Sequence, residues 1–137
     1  MSSSLNLNPD LLNAVRKRNV IPFIGSGFSR DLGVPMLDDV ISLMAGKLGW
    51  SPEVLQIQGG NFWQIAEYYT IEKGGLSLLR SDLDKLFHKK EIDISKSEIH
   101  SLLVDINAPV IYTTNWDCWI EKAYDSKGKE EGKDYQC

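Results

Sequence analysis

Two apolar runs that each end abruptly on small polar residues constrain this fold more than any other feature of the chain. The first lies in NVIPFIGSGFSRDLGVP, residues 19–35, which breaks into three glycines, Gly25, Gly27 and Gly33, within nine positions. The second is PVIYTTNWD, residues 109–117, which stops on Thr113, Thr114, Asn115 and Asp117. Short apolar runs bounded by turn residues read as buried strands, here over 20–24 and 110–113. Pro22 removes one ladder donor from the first and predicts a bend or an edge there. If the two strands are parallel neighbours, both polar tips open into one crevice, where open α/β sheets bind their ligands.

Around these runs the periodicity is helical. Asn8 and Pro9 read as N-cap and first helical position of one helix. Asp38 or Asp39 reads as the cap of VISLMAGKL, with Gly49 as its stop. Ser51-Pro52 opens a third helix. NFWQIAEYYTIEK places Phe62, Ile65, Ala66 and Tyr69 on one face before Gly74-Gly75. LSLLRSDLDKLF repeats that spacing with Leu76, Leu79, Leu83 and Leu86 or Phe87, and both stripes read as core packing. SKSEIHSLLVDI forms a capped helix ahead of Pro109, and WIEKAY another after Asp117. The expected class is α/β: a partial Rossmann-like parallel sheet with a helical insertion, at about 38–105, between its first two strands. Residues 1–125 are read as one domain part, and the charged, glycine-broken segment 126–137 is expected to be loose. Two strands are few for a parallel sheet. Either further strands escape the pattern or the chain is the front part of something larger.

Composition narrows the function classes. With 137 residues and a formal charge of −4, the chain holds one core and offers no basic footprint for nucleic acid. No stretch approaches the roughly 18 apolar residues of a membrane span. MSSSLNLNPD has neither the basic start nor the apolar run of a secretion signal, so a cytoplasmic location is expected. Cys118 and Cys137 give no disulfide framework and no C-x-x-C pair, so they read as thiols, and no metal site is predicted.

The two tips suit anion and amide chemistry. A glycine directly after a strand lets the chain turn sharply and lets a phosphate reach backbone N–H groups. Ser26 and Ser29 add hydroxyl donors. Arg30 stands where the third glycine of G-x-G-x-x-G would be, and no Gly-Lys-Ser/Thr follows. A nucleotide cradle and a plain glycine turn therefore both stay open. Asn115 could hold a water or a ribose hydroxyl, and Asp117 could accept hydrogen bonds from a carboxamide. Alternatively, Thr114 or Asn115 caps the following helix. His88, in LFHKKE, reads as a solvated helix-end residue, and His100 as packing or capping beside the sheet.

GSGFS and GVP followed by IYTTNWD together resemble the paired motifs of the sirtuin-like NAD-binding superfamily: Gly-Ala-Gly-x-Ser with a downstream Gly-x-Pro, then Thr-x-Asn-x-Asp. HSLL with APVIYTTNWDCWIEKAY is similar to the bacterial branch, and the likeness covers roughly residues 10–125. It implies that Gly25, Ser26, Gly27 and Ser29 cradle the NAD diphosphate and adjacent ribose. Gly33 and Pro35 would shape the cofactor loop, with Thr113 and Thr114 also binding cofactor. Asn115 would be catalytic, positioning a water or ribose at the nicotinamide-bearing carbon, and Asp117 would recognise the nicotinamide carboxamide. The implied reaction cleaves the nicotinamide–ribose bond of NAD, the substrate, through a cation-like transition state. In bacterial relatives the acceptor is often water, making them NAD-depleting effectors of anti-phage defence; in true sirtuins it is an acetyl-lysine oxygen.

Several positions depart from that pattern. Ser26 replaces the usual alanine, and Leu37 stands where an aromatic is common. The family's general-base histidine follows the Thr-Thr-Asn motif, whereas His88 and His100 both precede it. The strands expected beyond Asp117 and the zinc-binding cysteine pairs of deacetylases are not seen. A completed domain would hydrolyse NAD, while this chain alone is expected to turn over little. The rival expectation is an inactive module that binds NAD or ADP-ribose, or that assembles with itself or a longer sirtuin-like partner through an exposed sheet edge. A methyltransferase-type binder would need an acidic residue ending a second strand near residue 45, where the pattern is helical.

Overall fold

Arg18 and Asn107 both adopt left-handed backbone conformations, with φ of 57° and 51°, and the Arg18 Nε donates to the Asn107 carbonyl at 2.9 Å. Each residue turns the chain out of a helix toward one of the two apolar runs, so this bond clamps both entry corners together. The computed structural model in which they lie describes residues 8–57 and 61–137. The first seven residues, part of the stretch read for a secretion signal, fall outside the described residues. The protein is mixed α/β and 59% helical, so helices rather than the sheet supply most of its packing surface.

In chain order come α1 (Pro9–Arg16), β1 (Phe23–Ile24), a 3₁₀ segment (Ser26–Leu32), α2 (Leu37–Leu48), α3 (Pro52–Ile57) and α4 (Phe62–Lys73). Then follow α5 (Ser77–Phe87), a short 3₁₀ turn (Ile94–Lys96), α6 (Glu98–Ile106), β2 (Tyr112–Thr113) and α7 (Trp119–Ser126). They form two compact units: one joins the chain up to Phe28 with Asp93–Cys137, the other is Ser29–Ile92.

The first unit contains the sheet. β1 and β2 are parallel, with Phe23 opposite Tyr112 and Ile24 opposite Thr113. Tyr112 N–H donates to the Pro22 carbonyl and Thr114 N–H to the Ile24 carbonyl, both at 3.0 Å. Regular strand is shorter than the apolar runs over 20–24 and 110–113 suggested. Pro22 offers its carbonyl to Tyr112 but has no N–H with which to carry the ladder backward. Asn8 caps α1 as expected, its side chain accepting from Asp10 N–H at 2.8 Å. α6 and α7 pack on one another, burying His100, Leu103, Val104, Trp119 and Ala123.

The segment 126–137, expected to be loose, is instead tied to α7. Tyr135 donates its hydroxyl to Asp125 at 2.7 Å and lays its ring 5.1 Å from that of Tyr124. The bond to Asp125 holds the Tyr135 hydroxyl well above its usual pKa. Charge and glycine content outweighed this residue in the reading, yet one tyrosine supplies both an apolar body and a donor.

In the second unit α2 and α4 pack together, with Val40, Ile41, Met44 and Ala45 buried on one and Ile65 and Tyr69 on the other. Ala45 thus sits in a helix, where the methyltransferase-type reading needed the end of a strand. Neither Asp38 nor Asp39 is the N-cap of α2. The helix starts at Leu37, and the Asp39 carboxylate reaches back to accept from Met36 N–H at 2.8 Å, the N3 half of a capping box. Gly49 and Gly74 end their helices in left-handed conformations, as read. Leu79 and Phe87 are the buried residues of the α5 stripe.

Met44 is fully buried, so Met44→Ala should cost about 2–5 kcal/mol, the usual range for such truncations. Urea denaturation measures it, and an unchanged midpoint would contradict the α2–α4 packing.

Candidate functional site

The bond from Thr114 N–H to the Ile24 carbonyl sets the two strand exits side by side. Gly25 and Thr114 therefore begin their turns from neighbouring points at the same end of the sheet. On the first tip, Gly25, Ser26 and Gly27 are exposed, and Phe28 N–H closes a turn onto the Gly25 carbonyl at 3.0 Å. What reads as a glycine loop is wound into 3₁₀ turns as far as Leu32.

On the second tip, the Thr113 hydroxyl accepts from Asn115 N–H at 3.0 Å. The Asp117 carboxylate accepts from Trp119 N–H at 3.1 Å. Asp117, not Thr114 or Asn115, thus serves the start of α7. Its charge also suits that helix end, where the macrodipole is positive. Asn115 is half-buried.

The fold therefore brings Gly25, Ser26 and Gly27 to the same sheet end as Thr113, Thr114, Asn115 and Asp117. Ser29, Gly33 and Pro35 belong to the other unit. Ser29 is fully buried. Gly33 has a φ of 71° and bonds through its N–H to the Arg30 carbonyl at 2.9 Å. Pro35 is half-buried ahead of α2.

The glycines differ in what they require. A Cβ built on Gly25 or Gly27 would meet no atom within 4 Å, and neither has a positive φ. Nothing in the protein's own packing excludes a side chain there. Gly33 is different, because its left-handed backbone is costly for any other residue.

The sequence placed His100 in packing, and it is fully buried. It does more than fill space. Its Nδ1 lies 2.7 Å from the Ser97 hydroxyl, and its ring meets Phe28 edge-on, centroids 4.7 Å apart at 68°. Burial pushes its pKa below the ordinary 6.5, with the negative charge of Asp117 opposing. His88 closes α5, its Nδ1 2.9 Å from Asp84 Oδ1.

A cavity of about 420 Å³ is lined among others by Arg18, Ile111, Thr113, Tyr124 and Tyr135. Of the candidate residues, Thr113 alone reaches it, so this cavity is not the space between the two tips. Among the described residues no three metal-ligating side chains converge, and Cys118 and Cys137 form no disulfide. No helix among them is long and apolar enough to cross a membrane. No family profile matches the chain, and no curated protein matches it in sequence.

Chemically, an open turn rich in N–H groups suits an anion, while an amide and a carboxylate opposite it suit a neutral polar group. Gly27→Ala should change folding stability by less than about 0.5 kcal/mol, whereas Gly33→Ala should cost roughly 1–2 kcal/mol for its left-handed backbone. Urea titration separates them, and equal losses would contradict the open geometry at Gly27. The depressed pKa of His100 carries a second expectation. Below about pH 6.5 the unfolded chain binds more protons at this residue than the folded one, so stability is full above that pH and declines below it. Midpoints measured from about pH 7.5 to about pH 5.5 should fall in the wild type and flatten in His100→Gln.

Proposed function

We propose that the paired strand tips bind NAD and that the complete domain hydrolyses its nicotinamide–ribose bond, as the sirtuin-like resemblance implies, in a Rossmann-like arrangement. One observation carries this reading: the parallel register that puts the Gly25–Gly27 turn and the Thr113–Asp117 turn at one end of the sheet. That end is where doubly wound α/β proteins bind nucleotides. The exposed backbone of Gly25, Ser26 and Gly27 takes the diphosphate, with the Ser26 hydroxyl adding a donor. Asn115 directs its amide at the ribose side, and Asp117 accepts from the carboxamide of nicotinamide. A carboxylate near the bond being broken also favours the positive charge that develops on the ribose. NAD is substrate rather than resident cofactor here, and a role in anti-phage defence follows from the same resemblance.

A second reading rests on a different observation. Ile21, Phe23 and Tyr112 are 59%, 73% and 57% exposed, although parallel sheets are ordinarily covered on both faces. This favours a module that assembles with a second copy or a longer sirtuin-like partner, with or without NAD or ADP-ribose bound.

Calorimetric titration of the chain with NAD tests the first reading. Measurable affinity is expected, reduced at least about tenfold in Asn115→Ala and in the stability-neutral Gly27→Ala, as losing one ligand contact predicts. Asp117→Asn keeps an oxygen for Trp119 N–H and should leave folding intact while altering nicotinamide recognition. NAD cleavage that survives Asn115→Ala would overturn the assignment. Concentration-dependent association with no NAD affinity would instead support the assembly reading.

A further inference from the structure

His100 is the one fully buried imidazole of the strand-bearing unit, and its two nitrogens are treated differently. Nδ1 is held by the Ser97 hydroxyl at 2.7 Å, which fixes the ring's rotation. Nε2 is buried and meets no hydrogen-bonding partner among the described residues. An unsatisfied buried nitrogen is a cost that a phenylalanine or leucine here would avoid, so simple packing does not account for the residue. Its neighbours point to a role at the strand tips. The ring stands edge-on to Phe28, and Phe28 is the residue whose N–H closes the turn over Gly25, Ser26 and Gly27. The charge of Asp117 also acts on the imidazole. One side chain on α6 therefore touches the residue that closes the first tip and lies within electrostatic reach of the carboxylate on the second.

We infer that His100 is a positioning residue for the two tips: it braces the glycine turn through Phe28 and keeps Nε2 for a hydrogen bond that forms when a dinucleotide draws the tips together. The role rests on the NAD reading for its ligand, while the bracing of the turn stands on the contacts alone. His100 touches no substrate in this scheme. It sets where the diphosphate-facing N–H groups point, and it ties their position to the loop bearing Asn115 and Asp117.

Two conservative variants separate the nitrogens. Asparagine places a polar atom near the position of Nδ1 and keeps the Ser97 bond; glutamine reaches the position of Nε2. The test compares wild type, His100→Asn, His100→Gln, His100→Phe and Phe28→Leu by calorimetric NAD titration and by amide hydrogen exchange at Ser26, Gly27 and Phe28, with thermal unfolding as the folding control. His100→Gln should keep affinity within about threefold of wild type, and His100→Asn should lose about tenfold, one hydrogen bond's worth. Exchange at position 28, whose N–H closes the turn, should quicken in His100→Phe and Phe28→Leu. Equal affinity in His100→Asn and wild type overturns the role of Nε2, as do losses that merely follow the melting temperature across all variants. If wild type binds no NAD, the functional reading fails, and exchange still decides this one: protection unchanged in both His100→Phe and Phe28→Leu overturns the bracing.

Discussion

The hydrogen bond from Thr114 N–H to the Ile24 carbonyl is the constraint on which the rest depends. It fixes the register of the two strands found among the described residues and makes the backbone leave both of them at the same point. Such a ladder is marginal by itself. Here it is supported from both ends: Ile24 is buried beneath it, and the Arg18–Asn107 clamp joins the corners from which the strands start. A slip of one residue would turn Ile24 outward and Phe23 inward. The clamp and the ladder together oppose it.

With register fixed, the chemistry of the tips is a matter of what the backbone leaves open. Gly25 and Gly27 lie where added side chains would meet nothing, so the protein's own packing does not require glycine there. Asp117 accepts from the first turn of α7. The buried imidazole of His100 stands edge-on to Phe28. Removing it from water favours its neutral form, and the carboxylate of Asp117 pulls the other way.

Much of this was legible in the residues. Helix limits followed from local signals: Asn8 with Pro9, Gly49 and Gly74 each sit where a cap is needed. The strand positions were legible as apolar runs, though not their true length, because Pro22 stops the ladder in a way that hydrophobicity does not record. Two features were hidden for different reasons. Asp39 reaches back to Met36 from inside α2, and residue type alone does not distinguish a cap from a third helical residue. Tyr135 anchors a segment whose charge suggested a loose tail, because its partners Asp125 and Tyr124 are brought opposite it only by a turn.

The sequence by itself determined the helices, their apolar stripes, the two runs and the polar residues at their tips, since all of these depend on neighbours close in the chain. Tertiary structure decided that the two runs pair in parallel and in one register, that Asp117 rather than Asn115 serves α7, and that His100 adjoins Phe28. Those facts join residues far apart in sequence. They arise from burial and backbone pairing, which no local pattern encodes.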